Sequence, residues 1–341
     1  MAKPAKKKSI SYKDAGVDTE KALEMVGGYA ALGRRTMAKR KLLQSFGSFA
    51  SSMELKGYKN PVILTSCDGV GTKIKLLLEH DLPEYAGVDL VAMSVNDVLT
   101  ANALPVMFLD YLGIPKINEK LIMRLVGGMA GALADCDCIL AGGETAEMPG
   151  LVHDDIVEMS GFVVGAAEKD ELLDCATIRP GDLVYGVASA GFHSNGWSLV
   201  RKILERNPRL VAKKEMKELL APTRIYYPEV MALRKAKLRP RGMAHITGGG
   251  IHEKFGRILG KKGADLTLPA WPSELCRRVC AEIDLDDAIH AFNMGVGWMI
   301  VIEPSDEKKL RKALPHAFPL GRITKGPGIK IAVGGRHSCR P

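Results

Sequence analysis

The string Cys67-Asp68-Gly-Val-Gly-Thr-Lys73 puts a carboxylate, two glycines, a hydroxyl and an ammonium into one short stretch. Such a stretch can cradle a phosphate. Backbone N–H groups approach where no side chain intervenes, Lys73 neutralises the anion, and Asp68 shares a Mg²⁺ ion with the same oxygens. Taken alone, it is equally a glycine turn before a surface lysine, and it is not a Walker loop. A second acid, Asp97, closes Ser94-Val-Asn-Asp97 within an apolar, helical stretch from Val88 to Ala103, a setting where a lone aspartate is usually a hydrogen-bonded polar residue. The third block, Gly142-Gly-Glu144-Thr-Ala-Glu147-Met-Pro-Gly150, sets two carboxylates beside glycines after an apolar run, or else is a loop with exposed acids. Mg²⁺ prefers carboxylates, waters and substrate phosphates, so Asp68, Asp97 and Glu144 are expected to converge on one metal–phosphate site.

In the second half, Ser189-Ala-Gly-Phe-His193-Ser194-Asn195-Gly196 follows an apolar run and leads into a helix. His193 can donate to a phosphate or move a proton near neutral pH, with Ser194 and Asn195 as hydrogen-bonding groups at the helix start; capping alone explains those two equally well. Thr247-Gly-Gly-Gly250 before Ile251–Leu259 either holds a phosphate or turns the chain. The glycine pairs at 69/71 and 295/297 lack the third glycine of a dinucleotide fingerprint. There is also no G-x-S-x-G elbow and no H-E-x-x-H helix, which removes the nicotinamide, hydrolase-elbow and zincin readings.

Positioning these blocks requires alternating short strands and amphipathic helices, the pattern of mixed α/β layers. Strands are predicted at Val62–Ser66, Val106–Leu109, Ile139–Ala141 and Phe162–Gly165, and a helix over Asn118–Asp135, where Leu121, Ile122, Leu125, Met129 and Leu133 recur at helical spacing. A second series has a strand at Leu183–Ala188, a helix over Ser198–Glu205, and strands at Ala244–Ile246 and Gly297–Val301. The charged stretch 167–174 and the Arg179-Pro-Gly-Asp182 turn lie between the series. The expected organisation is a basic tail (1–10), an N-terminal domain (11–170) and a C-terminal domain (171–335).

A chain of 341 residues with 46% hydrophobic and 26% charged residues can bury two cores and is not of disordered composition. The net charge of +9 is local: residues 1–60 carry 13 Lys/Arg against 5 Asp/Glu, leaving 35 against 34 for the rest. With no aromatic platform interleaved, the basic run Lys6–Lys8 is expected to be a solvated tail, and no nucleic-acid partner is expected. No apolar run reaches the roughly 20 residues a membrane span needs. Seven cysteines without paired metal spacing, and no apolar segment after the basic start, point to reduced thiols and a cytoplasmic location.

In this order the blocks resemble the phosphoribosylformylglycinamidine cyclo-ligase (AIR synthetase) family. The resemblance runs from about Ser11 to Val333. Its carriers are Ser11-Tyr-Lys-Asp-Ala-Gly-Val-Asp18, Asp68–Lys73, Val88–Asp97, Phe108-Leu-Asp-Tyr111, Gly142–Gly150, His193–Gly196, Leu220-Ala-Pro-Thr-Arg-Ile225, Ile246–Gly250 and Phe292-Asn-Met-Gly-Val-Gly297. The resemblance implies a two-domain α/β (α+β) fold whose N-terminal sheet forms a β-barrel across a homodimer, with a C-terminal mixed sheet flanked by helices. It also implies ATP- and Mg²⁺-dependent ring closure of formylglycinamidine ribonucleotide. On that basis Asp97, His193 and Lys73 are expected to be catalytic, and Asp68, Asp97 and Glu144 to hold the metal. Asp68, Gly69, Gly71, Thr72, Lys73, Glu144, Thr145, His193 and Asn195 are expected to contact the nucleotide.

Several positions depart from the family pattern. Ala30 stands where the family has a basic residue in the first helix, and Gln44-Ser-Phe-Gly47 replaces Gly-Gly-Phe-Gly. Asn102-Ala-Leu-Pro105, Glu253-Lys-Phe-Gly-Arg257 and His290 also differ. These departures motivate a non-catalytic nucleotide-binding dimer, or a related enzyme with a changed substrate, as the competing readings. Selenophosphate synthetase is disfavoured because no Cys precedes Cys67, and the hydrogenase-maturation relative because Arg340-Pro341 follow Cys339. Thiamine-phosphate kinase lacks the block Gly142–Gly150.

Overall fold

A computed structural model of the chain describes residues 19–44, 48–153, 156–269, 271, 273–334 and 336–339. The basic tail, the Ser11–Asp18 block and Ser45–Gly47 lie outside the described residues.

The first half runs α1 (Thr19–Arg35), β1 (Pro61–Gly69), α2 (Lys73–Glu79), α3 (Pro83–Thr100), β2 (Leu104–Ile114), α4 (Glu119–Asp135), β3 (Ile139–Glu147) and β4 (Glu158–Glu168). These four strands form one mixed sheet in the order β1-β4-β2-β3, with β2 and β3 parallel and the other pairs antiparallel. The helix expected over Asn118–Asp135 is α4. It starts where Asn118 accepts a hydrogen bond from Leu121 N at 3.2 Å, and it buries Ile122, Leu125, Met129 and Leu133.

Helix α4 crosses α3 closely because two glycines meet backbone there. A Cβ on Gly87 would fall 2.1 Å from Leu125 O, and one on Gly128 would fall 2.1 Å from Glu84 O. The strands run past their expected ends. In particular, the Gly142–Glu147 segment, expected to follow the Ile139–Ala141 strand as a carboxylate site or else a loop, continues β3, paired along β2 from Leu109 to Ile114.

The second half contains β5 (Leu183–Ala188), α5 (Trp197–Arg206), α6 (Met216–Leu219), α7 (Tyr227–Lys235), β6 (Gly242–His245), α8 (Gly250–Leu259), β7 (Gly263–Leu268), α9 (Glu274–Cys280) and α10 (Leu285–Ala291). It ends with β8 (Val296–Ile302), α11 (Glu307–Ala313), β9 (Phe318–Thr324), β10 (Gly328–Val333) and β11 (Arg336–Cys339). Its seven strands lie in the order β11-β10-β7-β9-β5-β8-β6, with β10 parallel to β7. The central strands β5 and β8 are buried almost throughout, as near-continuous apolar runs require. Among the described residues, no helix is long and apolar enough to cross a membrane.

The two sheets differ in what covers them. One face of the N-terminal sheet packs on α3, α4 and α1, while the other leaves Ile63 (53%), Phe162 (39%) and Tyr111 (41%) exposed.

Candidate functional site

Two of the expected acids come together. Strand β1 continues through Gly69, so Asp68 sits opposite Gly161 of β4, and Gly69 N donates to Asp68 Oδ1 at 2.7 Å. Asp97, near the end of α3, accepts from Ser66 Oγ at 3.3 Å, which anchors it to the same strand two residues from Asp68. The Asp68 carboxyl is raised above the ordinary carboxylate range. Burial is the largest cause, the Gly69 N–H opposes it, Asp97 adds repulsion, and His245 and Lys254 pull it back.

The partners named last belong to the C-terminal domain. His245 ends β6 and places Nδ1 3.2 Å from Asp97 Oδ1. Asn96, the neighbour of Asp97, reaches the same domain through Arg224 O at 2.9 Å, Tyr226 N at 2.9 Å and His245 Nε2 at 3.3 Å. The Thr247–Gly250 loop follows directly, with Gly249 and Gly250 at φ of 89° and 63°. A Cβ at Gly250 would meet Ile289 O at 1.9 Å, so this start of α8 requires glycine. Asn195 borders the loop, its Oδ1 3.0 Å from where a Gly248 Cβ would sit, and its Nδ2 lies 3.9 Å from Met93 Sδ on α3. Lys254, just past the first turn of α8, pairs with Glu253 at 3.0 Å and lies close enough to Asp68 to stabilise its charge. On the N-terminal side the Gly69–Thr72 turn is open: Gly71 has φ of 67° with nothing near its Cβ position, and Thr72 Oγ1 meets Ser198 Oγ across the seam at 3.0 Å.

Three expected roles are corrected. Lys73 does not project to the exposed surface beside Asp97. It is wholly buried, paired with Asp89 at 2.7 Å, donates to Ala221 O at 2.9 Å and lies over the Trp197 ring, so it ties α2 and α3 to the C-terminal domain. Burial pushes its ammonium down and Asp89 counteracts this.

His193 is likewise enclosed. At φ of 60° its Nε2 accepts from Ala190 N at 3.0 Å, and burial, reinforced by the Lys73 and Arg224 charges, holds it well below its ordinary range. It is a neutral core histidine packed where Gly297 leaves room, since a Cβ there would fall 2.6 Å from His193 Cε1.

Glu144 does not join Asp68 and Asp97. Asp68, Gly161, Asp110 and Gly143 stand in one row across the sheet. Three strand spacings therefore separate β1 from β3, about 14 Å. Glu144, one residue on, points to the opposite face. Thr145 faces the helix side, where its Oγ1 meets Tyr29 OH at 2.8 Å. Among the described residues, no three His, Cys, Asp or Glu side chains are grouped to hold a metal.

Asp68 and Asp97 nevertheless fit Mg²⁺. They are two hard oxygen donors whose mutual repulsion a cation relieves, and Mg²⁺ habitually takes one or two carboxylates and completes its shell with water and phosphate oxygens. His245, Asn96 and Lys254 were not singled out as site residues from sequence. The signal available was position: a histidine ending an apolar strand directly before a glycine-rich turn.

The class of protein defined here is a two-sheet α/β architecture in which an acid pair faces a glycine-rich loop across the seam between the sheets. By comparison with known proteins, residues 54–167 match the AIR synthase related protein N-terminal domain and residues 179–334 its C-terminal domain. The chain belongs to this family. A relative from Thermoanaerobacter pseudethanolicus named phosphoribosylformylglycinamidine cyclo-ligase is 38% identical over 94% of this chain and 99% of its own. One of the same name from Polaromonas is 40% identical over 95% and 98%.

Solved structures share the fold at lower identity. Thiamine-monophosphate kinase from Stenotrophomonas maltophilia has a TM-score of 0.66 at 17% identity, covering 90% of this chain and 96% of that one. Hydrogenase maturation protein HypE, solved in complex with ATP, has 0.67 at 16%, covering 93% of each.

Proposed function

We propose that this protein catalyses the ATP-dependent cyclisation of formylglycinamidine ribonucleotide to 5-aminoimidazole ribonucleotide, the ring-closing step of purine biosynthesis, with release of ADP and phosphate. The observation that carries the reading is the placement of Asp68 and Asp97 at the domain seam, opposite His245 and the Thr247–Gly250 loop, in a chain related over nearly its whole length to cyclo-ligases. ATP transfers its terminal phosphoryl group to the formamide oxygen. An amidine nitrogen then attacks the activated carbon, and the C–O bond breaks as phosphate departs.

In this reading Asp68 and Asp97 hold Mg²⁺, which when bound offsets negative charge on the polyphosphate. The open Gly69–Thr72 turn and the Thr247–Gly250 loop present backbone to phosphate oxygens, Asn195 supplies an amide beside that loop, and Lys254 contributes positive charge near Asp68. Lys73 and His193 act by fixing the seam rather than by touching ligand. The domain division near residue 170 and the cytoplasmic location belong to the same proposal.

A homodimer belongs to it as well. The outer face of the N-terminal sheet carries Ile63, Phe162 and Tyr111 on adjacent strands, an apolar surface that a second copy would bury by closing the two sheets into a barrel. Such an arrangement places Glu144, on that outer face, at the subunit boundary.

The test is direct. Purified protein is incubated with formylglycinamidine ribonucleotide, Mg²⁺ and ATP, and ADP is assayed together with the aminoimidazole product. ATP binding with neither product rejects the assignment.

A further inference from the structure

The two ring nitrogens of His245 meet groups whose hydrogen-bonding roles are settled by their own partners. Asn96 Oδ1 accepts from Tyr226 N at 2.9 Å, which orients the amide. Its Nδ2 then faces two acceptors, Arg224 O at 2.9 Å and His245 Nε2 at 3.3 Å. An amide nitrogen only donates, so Nε2 of His245 accepts, and the single ring proton of the neutral imidazole stands on Nδ1. That proton points at Asp97 Oδ1, 3.2 Å away, while Ser66 Oγ donates to Oδ2.

The chain is anchored at its far end. Tyr226 OH donates to Ala188 O at 3.1 Å, and the Tyr226 ring stacks on Trp298 at 5.2 Å. Only 4% of His245 is exposed, whereas the Asp97 side chain is 46% exposed.

We propose that His245 is a positioning residue: fixed by Asn96 as the Nδ1–H tautomer, it holds the Asp97 carboxylate beside Asp68 from across the domain seam. Seating of the C-terminal domain and readiness of the acid pair are thereby one event. The inference rests on Asp68 and Asp97 forming the cation and nucleotide site; it does not depend on which substrate is cyclised.

Two substitutions separate this role from packing. The amide nitrogen of Asn can stand where Nδ1 stood, and that of Gln where Nε2 stood. H245N therefore keeps a donor to Asp97, and H245Q does not. Binding of Mg²⁺ with a nonhydrolysable ATP analogue is measured by calorimetry on the full-length protein, and urea midpoints are recorded for each variant. H245N is expected to bind close to the unsubstituted protein and H245Q about 10–100-fold more weakly, the usual effect of losing a group that orients a metal ligand. Equal affinity in both variants, whether kept or lost, overturns the proposal.

Nitrogen-15 NMR of the histidine rings in the unsubstituted protein gives an independent readout, with Nδ1–H expected at His245. An Nε2–H tautomer also overturns it, even if a variant fails to fold. Absence of Mg²⁺–nucleotide binding in the unsubstituted protein would instead reject the site reading, leaving the NMR result to decide the His245–Asp97 bond.

Discussion

Lys73 Nζ stands 2.7 Å from Asp89 Oδ2, and neither side chain has any exposed surface. Oδ1 of the same aspartate accepts from Thr223 N at 2.6 Å and Thr223 Oγ1 at 2.7 Å, so one carboxylate joins α2, α3 and the loop that opens the C-terminal domain's α7. Removing one partner leaves the other charge buried. Lys73→Met is expected to cost about 3–5 kcal/mol in urea unfolding, with part of that recovered when Asp89→Asn is added. ATP affinity of the folded Lys73→Met protein should stay near that of the unsubstituted one. A large loss of affinity without a loss of stability would restore the phosphate-contact role.

Asp97→Asn removes a donor from the acid pair but keeps its shape. Mg²⁺-dependent turnover should fall about 100-fold or more, equivalent to ~2.7 kcal/mol of barrier, with an unchanged circular dichroism spectrum. Asp68→Asn should lower turnover similarly and raise the melting temperature slightly, because the Asp68 charge is disfavoured by burial and by Asp97 when no cation is present. Unchanged kinetics in either variant removes that residue from the site.

Asp110 is 4% exposed on the helix-facing side of β2, and neither carboxyl oxygen has a hydrogen-bond partner beyond its own backbone among the described residues. Burial pushes its pKa up to about 7, its own backbone N–H opposes this, and Glu144 adds to it. The folded protein therefore holds the Asp110 proton more tightly than the unfolded chain does. Its contribution is fully present below the unfolded value near 4, is lost as pH rises towards about 7, and is constant above. Asp110→Asn should stabilise the protein at pH 8 relative to its effect at pH 4, read from urea midpoints at both pH values. A pH-independent difference would show that Asp110 holds its proton equally in the folded and unfolded states, with no upward shift on folding.

Gly127 and Gly128 are neighbours in α4 with opposite surroundings. Nothing lies within 4 Å of a Gly127 Cβ, whereas a Gly128 Cβ would meet Glu84 O at 2.1 Å. Gly127→Ala should stabilise by about 0.5–1 kcal/mol through helix propensity. Gly128→Ala should destabilise by about 1–3 kcal/mol or more by forcing α3 and α4 apart. Thermal melts of the two variants check both signs.

Much of the fold could be read from the chain alone, because periodicity is a local property. The stripe from Leu121 to Leu133 and the apolar runs at Leu183–Ala188 and Gly297–Val301 report helix and strand through the spacing of buried side chains. Strand β9, with Pro319 and Gly321 inside it, and β10, which is half exposed, carried weaker signals and were found only in the assembled sheet.

The site divided the same way. Residue types within the Asp68–Lys73 and Ser94–Asp97 strings singled out two acids that the fold brings near each other, yet type does not determine direction. Strand order and the two-residue alternation of β3 sent Glu144 to another face. Close packing at the domain seam turned Lys73 and His193 inward. The same seam brought His245 to Asp97 across 148 residues of sequence, a contact that exists only once both domains have folded against each other.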